Sequence, residues 1–396
     1  QVFESLVIQE GGRLKPLDTY ARNQLLAVHQ KSTIDGESAI DWLIDLMLEP
    51  ELHYHRPEFK LREPELIDAL GIEIKKDSRY AFAELRDGMS NVREDLHAWF
   101  QKDADSRSPV EDRVIRLYGL LTQYYQLSRS MSLFHRDIVI EHEDLAKDFK
   151  LKPGEKVSYL HFFTHSDQLR NEVTLLSQMK KESRGEREKA LVELVALLSE
   201  KIQDEMPPQL TIFPPLVGSE EEWVSPWVLM GKEKATPLIL ERLVDLQGMV
   251  DGLKQGDLKA ALDLSNKFKE SVGFRPKVDM EVSNNQADLF YRSMYCYIFS
   301  IILLMVSWMV WPRGLRRAAF WIMTLGMVVH GVGIVLRMFI MGRPPVSTLY
   351  ESIIFVGFIG VLICFILEVV RRNGIGTFCG TTLGILLHFI GFSYAA

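Results

Sequence analysis

The polar and apolar residues of this chain fall into two zones. Up to residue 290, apolar positions recur at helical spacing among charged ones. Arg79–Phe100 places Tyr80, Ala83, Met89, Val92, Leu96 and Trp99 close to one helical face. Pro109–Phe134 repeats the pattern with Val110, Val114, Leu117, Leu121, Tyr124 and Leu127. Ser108-Pro109 ahead of Glu111 reads as a capped start with proline in the first turn. Glu186–Glu205, Pro237–Leu253 and Asp257–Val272 read as further amphipathic helices. Val2–Ile8 and Ile138–Ile140 look strand-like. Segments 50–64, 150–158 and 206–226 carry Pro, Gly and charge and read as loops.

Beyond residue 290 the periodicity gives way to charge-free runs. Ser293–Trp311 and Ala318–Leu336 each hold 19 uncharged residues, Ser352–Leu367 holds 16 and Ile375–Ala396 holds 22. Four such runs in succession predict four membrane-spanning helices, at about 293–311, 318–340, 349–370 and 375–396. The expected fold is therefore all-α. A helical extracytoplasmic domain over 1–290 precedes a bundle of four transmembrane helices over 291–396. Helices buried in a soluble core are the weaker alternative.

Charge then supplies an orientation. Residues 291–396 contain eight Arg, two Glu and neither Lys nor Asp, a net +6, so the remainder carries −13 of the chain's net −7. A mean hydropathy of +0.00 averages these two unlike zones. Arg313, Arg316 and Arg317 join the first two runs, and Arg371-Arg372 the last two. The positive-inside rule puts both connectors in the cytoplasm. The connector at 337–348 and the large N-terminal zone then face outward, which in a Gram-negative bacterium means a periplasmic domain on the inner membrane. The first ten residues lack a basic segment and a long apolar core, so they do not read as a signal peptide. A trimmed start, and a C-terminus that stops inside a span, are the corresponding expectations. The acidic zone has no basic excess to neutralise phosphates, which excludes a nucleic-acid partner. The three cysteines (296, 364, 379) show no CxxC, CxxCH or zinc spacing.

Candidate chemistry is sparse in the first zone. There is no GxSxG, HExxH, P-loop or GxGxxG. His161 and His165 could share a helical face as metal ligands, but no third ligand sits at a helpful spacing. His53 and His55 would share a face of a strand, yet Pro50 and Pro57 suggest a loop. Trp223-Val224-Ser225-Pro226-Trp227 reads as loop anchors in the domain core, or as an aromatic docking patch.

The second zone says more, because ionisable groups inside a span are costly and usually functional. His330 and His388 each lie 12 residues beyond a cytoplasmic helix end, at Ala318 and Gly376. Each is then roughly 18 Å up its helix. Two imidazoles at one depth could ligate a haem iron from both sides, as b-type haem is held. Alternatively, each bonds to a neighbouring backbone. Arg337, two turns beyond His330, could pair with a haem propionate. Gly326, Gly331 and Gly333 permit close helix approach or leave room for a flat cofactor. In the connector Gly342-Arg343-Pro344-Pro345-Val346-Ser347-Thr348-Leu349-Tyr350-Glu351-Ser352, glycine and two prolines stop the second span. Ser347 or Thr348 can cap the third, and Glu351 complements the helix dipole. A plain capped turn does not account for Arg343, Tyr350 and Glu351 gathering at one membrane face.

The stretch from His330 through Gly342-Arg343-Pro344-Pro345 to Tyr350-Glu351-Ser352 resembles the CcsA/ResC proteins of c-type cytochrome biogenesis, with Thr348 where they usually carry Asn. Gly11-Gly12-Arg13-Leu14-Lys15-Pro16-Leu17-Asp18-Thr19-Tyr20-Ala21-Arg22 is similar to the start of a long subgroup with a large extracytoplasmic domain. The resemblance implies haem handling: receiving haem, presenting it outside the membrane and helping attach it to apocytochrome c, with a ResB/CcsB-like membrane partner. It implies His330 as a haem ligand, and His388 less directly. The family's haem-presenting WGxxWxWD segment normally lies further downstream and is absent from this chain. A non-catalytic scaffold subunit with structural histidines is the competing reading. A membrane enzyme of other chemistry is weaker, for want of a catalytic constellation.

Overall fold

The computed structural model describes residues 2–180, 183–203, 210–215, 223–231, 236–273 and 275–395. Contacts divide the chain into two compact units, residues 1–274 and 275–396. Charge placed this division at 290/291. It falls earlier because the helix Pro276–Ala287 packs against the helix Pro312–Met341.

The first unit opens with an antiparallel hairpin, Val7–Glu10 against Arg13–Pro16. Gly11 and Gly12 form its tip with φ of 58° and 74°, a backbone that L side chains resist. Lys15 folds back onto Glu10 across the hairpin. The chain then enters the helix Leu17–His29, where Asp18 in the first turn accepts from Arg22 Nε at 3.0 Å. The Gly-Gly-Arg-Leu-Lys-Pro-Leu-Asp stretch is thus a tight turn, a strand and a helix start. Behind it, Trp42, Tyr54, Phe59, Phe82 and Tyr124 form an aromatic core from four helices and a strand. The start at Ser108 forms as expected: Glu111 N donates to Ser108 Oγ (3.2 Å) and Ser108 N to Glu111 Oε2 (2.8 Å).

Several expected elements are redrawn. Arg79–Phe100 is not one helix. Arg79–Ala81 pairs as a strand with Pro57–Lys60, and helices follow at Phe82–Asn91 and Arg93–Gln101. At the break between them, Asn91 donates its side-chain N–H to the Leu70 carbonyl (2.9 Å), a tertiary bond to the turn after the helix Pro64–Ala69. Segment 50–64 is not a loop either. Pro50 starts the helix Pro50–His55, and Pro57 opens the strand, two positions where a missing N–H is tolerated. Within 150–158, Lys156–Val157 pairs with Ile138–Val139. Val2–Ile8 becomes a strand only from Val7. The helix from Pro109 ends at Ser128, with a separate 3₁₀ turn over Ser132–Phe134. Residues 204–209 and 216–222 of the remaining predictions lie outside the described residues.

Among its described residues the second unit holds four helices long and apolar enough to cross a membrane. The first spanning helix is Leu289–Ser307, preceded by Pro276–Ala287 and a left-handed Asp288 (φ 45°). The second is Pro312–Met341, the third Leu349–Arg371 and the fourth Ile375–Ala395. The first packs along the second and fourth, and the third along the fourth. Small residues permit these approaches. A Cβ on Gly384 would lie 2.7 Å from the Tyr297 ring, and one on Gly376 2.6 Å from the Cys364 carbonyl oxygen.

Candidate functional site

Equal depth along two apolar helices brings His330 and His388 into contact. Their ring centroids are 4.4 Å apart, edge to face, and both residues are 0% exposed. The first spanning helix supplies their surroundings from one stripe, Phe290, Ser293 and Tyr297. Spacing of three and four residues puts these on one face. Phe290 meets His330 edge-on at 5.9 Å between centroids, and Phe358 of the third helix meets it at 5.5 Å.

The hydrogen bonds of the pair are incomplete. His388 Nδ1 lies 2.8 Å from the Gly384 carbonyl, which can only accept, so the ring proton sits on Nδ1. Its Nε2 is then an acceptor, 3.0 Å from Ser293 Oγ. That hydroxyl also donates to the Phe290 carbonyl at 2.8 Å, so one proton serves two acceptors. His330 Nδ1 lies 3.3 Å from the Tyr297 hydroxyl. His330 Nε2 has no hydrogen-bond partner. Where Nδ1 donates to the Tyr297 hydroxyl, Nε2 presents an unshared lone pair inside the bundle.

These residues fit a haem iron on one side only. The orphaned Nε2 of His330 suits an axial ligand. Ligation from both sides does not fit this packing. Imidazole–metal bonds of about 2 Å would hold the ring centroids about 6 Å apart with a macrocycle between them, whereas the rings here touch. The glycines leave no flat slot either. Cβ positions on Gly326, Gly331 and Gly333 would meet Tyr297, Phe358 and Phe290 at 3.0–3.1 Å, so close helix approach is their use.

The connector residues gather around one carboxylate. Gly342 ends the second helix at φ 65°, and its N–H returns to the Met338 carbonyl (2.8 Å). Pro344 and Pro345 prevent continuation, and Ser347 Oγ donates to the Pro344 carbonyl (3.0 Å). Thr348 Oγ1 accepts from Glu351 N at 3.2 Å, so Thr348, not Ser347, caps the third helix. Threonine and asparagine both serve in that position, and the departure from the resembled motif therefore keeps its structural role. Ser352 Oγ donates to the Val346 carbonyl (3.3 Å). Glu351, 4% exposed, accepts from Arg337 Nε at 3.1 Å and Arg343 Nη2 at 3.5 Å. The Arg337 guanidinium lies 5.1 Å from the centroid of the Tyr350 ring. Arg337 is thus engaged with Glu351, while its two terminal nitrogens carry no protein hydrogen bond among the described residues.

A second intramembrane acid escaped the sequence reading. Glu368 accepts from Gly374 N at 2.8 and 3.1 Å and from Thr377 N at 3.3 Å, capping the fourth helix from the end of the third. Its signal was available: an acidic residue on the apolar side of an Arg-Arg turn. Tyr297, Ser293 and Phe290 were also missed, although hydroxyls in an apolar span at helical spacing could have marked that face.

In the first unit the predicted histidine pairs part company. His53 is buried with Nδ1 2.7 Å from Glu58 Oε1, while His55 is exposed on the same short helix. Glu58 also accepts from the Tyr124 hydroxyl (2.7 Å). His161 and His165 stack at 4.5 Å, but each binds a backbone carbonyl, Phe149 (2.9 Å) and His161 (2.9 Å) respectively. No group of three metal-binding side chains occurs among the described residues. Trp223 and Trp227 are both buried, Trp223 next to the Phe213–Val224 bridge and Trp227 not in a loop but in the helix Pro226–Gly231.

Fold and composition define a helical membrane protein with a large polar unit ahead of its spans. No family model matches the chain, and no curated protein matches it either.

Proposed function

We propose that this protein handles haem for the maturation of c-type cytochromes on the outer side of a bacterial inner membrane, with His330 as the iron ligand. One observation supports this above the others: a fully buried imidazole whose Nε2 is unpartnered, at the centre of four apolar helices. The resemblance of the 330–352 stretch to CcsA/ResC proteins supplies the chemical context. Bound haem would bring an iron for axial ligation and vinyl groups that take up cysteine thiols. The chain's own part is to hold and shield it. Tyr297 orients the His330 ring, Phe290 and Phe358 exclude water, and the terminal nitrogens of Arg337 offer donors to a propionate. In this reading residues 1–274 face the periplasm, and their acidic surface suits a basic apocytochrome. A ResB/CcsB-like membrane protein is the further partner proposed.

A reduced-minus-oxidised spectrum of the protein purified in mild detergent tests the reading. A b-type signal lost in His330→Ala supports it. A haem-free wild type, with normal cytochrome c maturation in a deletion strain, refutes it. Topology is tested separately with Glu200→Cys in a background lacking the three native cysteines; labelling only from the cytoplasm overturns the orientation. The contact between the two rings favours one alternative, a scaffold subunit whose histidines only tie helices together. That reading expects His330→Ala to lower stability in a protein that never carries haem.

A further inference from the structure

The Arg-rich ends of the second and third spanning helices enclose a cleft of about 550 Å³. Arg313, Arg316, Arg317 and Arg372 line it, with Trp321 on its wall. None of the four arginines has a carboxylate partner among the described residues. The one acid in the cleft, Glu368, is committed to the backbone N–H groups of Gly374 and Thr377. Four cations against one anion leave the cleft strongly positive. Three of the arginines also occupy the first two turns of the second helix, where the macrodipole disfavours cations and no acid balances them. Helix stability therefore does not explain them. The cleft is built into the fold: the Arg316 stem lies across Gly374, where a Cβ would sit 3.1 Å from Arg316 Cδ, and φ there is 88°.

We propose that this cleft binds the phosphates of an anionic phospholipid, best one bearing two phosphate groups. Guanidinium forks match phosphate oxygens two at a time. Trp321, 67% exposed and three residues into the charge-free run that starts at Ala318, fits the membrane–water boundary, where aromatic side chains collect. A phosphate group at that depth, with its acyl chains along the apolar helix surface, is a lipid. Basic clefts between spanning helices take such head groups.

Native mass spectrometry and thermal unfolding of the full chain in detergent test this, with cardiolipin, phosphatidylglycerol, phosphatidylcholine and inorganic phosphate as probes. Cardiolipin should bind about tenfold more tightly than phosphatidylcholine and raise the unfolding temperature. The triple variant Arg316→Gln, Arg317→Gln, Arg372→Gln should lose that preference. Because these arginines also set topology, the corresponding triple lysine variant is made alongside. It keeps the charges, loses the forks and should bind cardiolipin several-fold more weakly than wild type. Equal retention of phosphatidylcholine, an equal response to inorganic phosphate, or unchanged cardiolipin affinity in the lysine variant would each overturn the proposal.

Discussion

The pairing of Glu351 with two arginines makes an unequal prediction that a double-mutant cycle can read. Arg337 Nε and Arg343 Nη2 lie 3.1 and 3.5 Å from the same oxygen, Glu351 Oε1. At an effective dielectric constant of about 20, a full charge pair at such a distance attracts by about 5 kcal/mol. Most of that is offset. The carboxylate has been taken almost wholly out of water, its Oε2 has no hydrogen-bond partner, and both arginines remain partly solvated. A net coupling of about 1–2 kcal/mol is expected for Arg337. Its guanidinium is also positioned over the Tyr350 ring, so less side-chain freedom is lost on pairing. Arg343, longer in distance and more exposed, should couple by less than about 1 kcal/mol. Glu351→Gln, Arg337→Gln and Arg343→Gln, singly and in the two pairs with Glu351, would be unfolded reversibly in mixed detergent and followed by tryptophan fluorescence. Additive losses in the Glu351/Arg337 pair would refute the reasoning. So would a larger coupling for Arg343, because geometry would then not rank the interactions.

Three further outcomes follow from the packing and titration. Gly376→Ala should destabilise the bundle by about 1–3 kcal/mol in the same assay, since the new methyl meets backbone atoms of the third helix that cannot rotate away; a neutral result would mean the two helices are not in contact there. Glu368→Gln should cost about 1–3 kcal/mol by weakening the cap on the fourth helix, and hydrogen exchange at residues 374–377 should rise. Burial holds His29 below its ordinary value of 6.5, with Arg79 acting in the same direction against the Glu58 carbonyl bond. The folded state therefore prefers the neutral ring. Its contribution is fully present above about pH 6.5 and is lost as pH falls below that. Thermal unfolding of the first unit within the full chain should shift down between about pH 7 and pH 5.5, and His29→Gln should flatten the slope. An unchanged slope would remove His29 from the account.

The spans were legible because a lipid interior tolerates so few charges: four uncharged runs marked four helices, with ends off by a few residues. The depth match of His330 and His388 was also legible, as counting along a helix measures height. Their contact was not, since rotation about each helix axis depends on neighbours such as Phe290 and Gly384. The connector reads correctly as a capped turn, but Arg337 joining Glu351 is a tertiary fact. In the polar unit, helical spacing in 79–100 concealed a strand, because pairing with Pro57–Lys60 decided Arg79–Ala81 against local pattern. Prolines 50 and 57 read as loop signals when they were the first residues of two elements.

The single hydroxyl hydrogen of Ser293 is worth following to its end. While it points to the Phe290 carbonyl, the lone pair on His388 Nε2 is bare; when it swings to the imidazole, the carbonyl is left wanting. A rotation about one C–O bond thus sets how available the second histidine is to any incoming electrophile. Through Ser293 the first spanning helix holds a latch on the fourth. Ser293→Ala would leave that latch permanently open, and changes at this small residue should register at the histidine pair before they register in the fold.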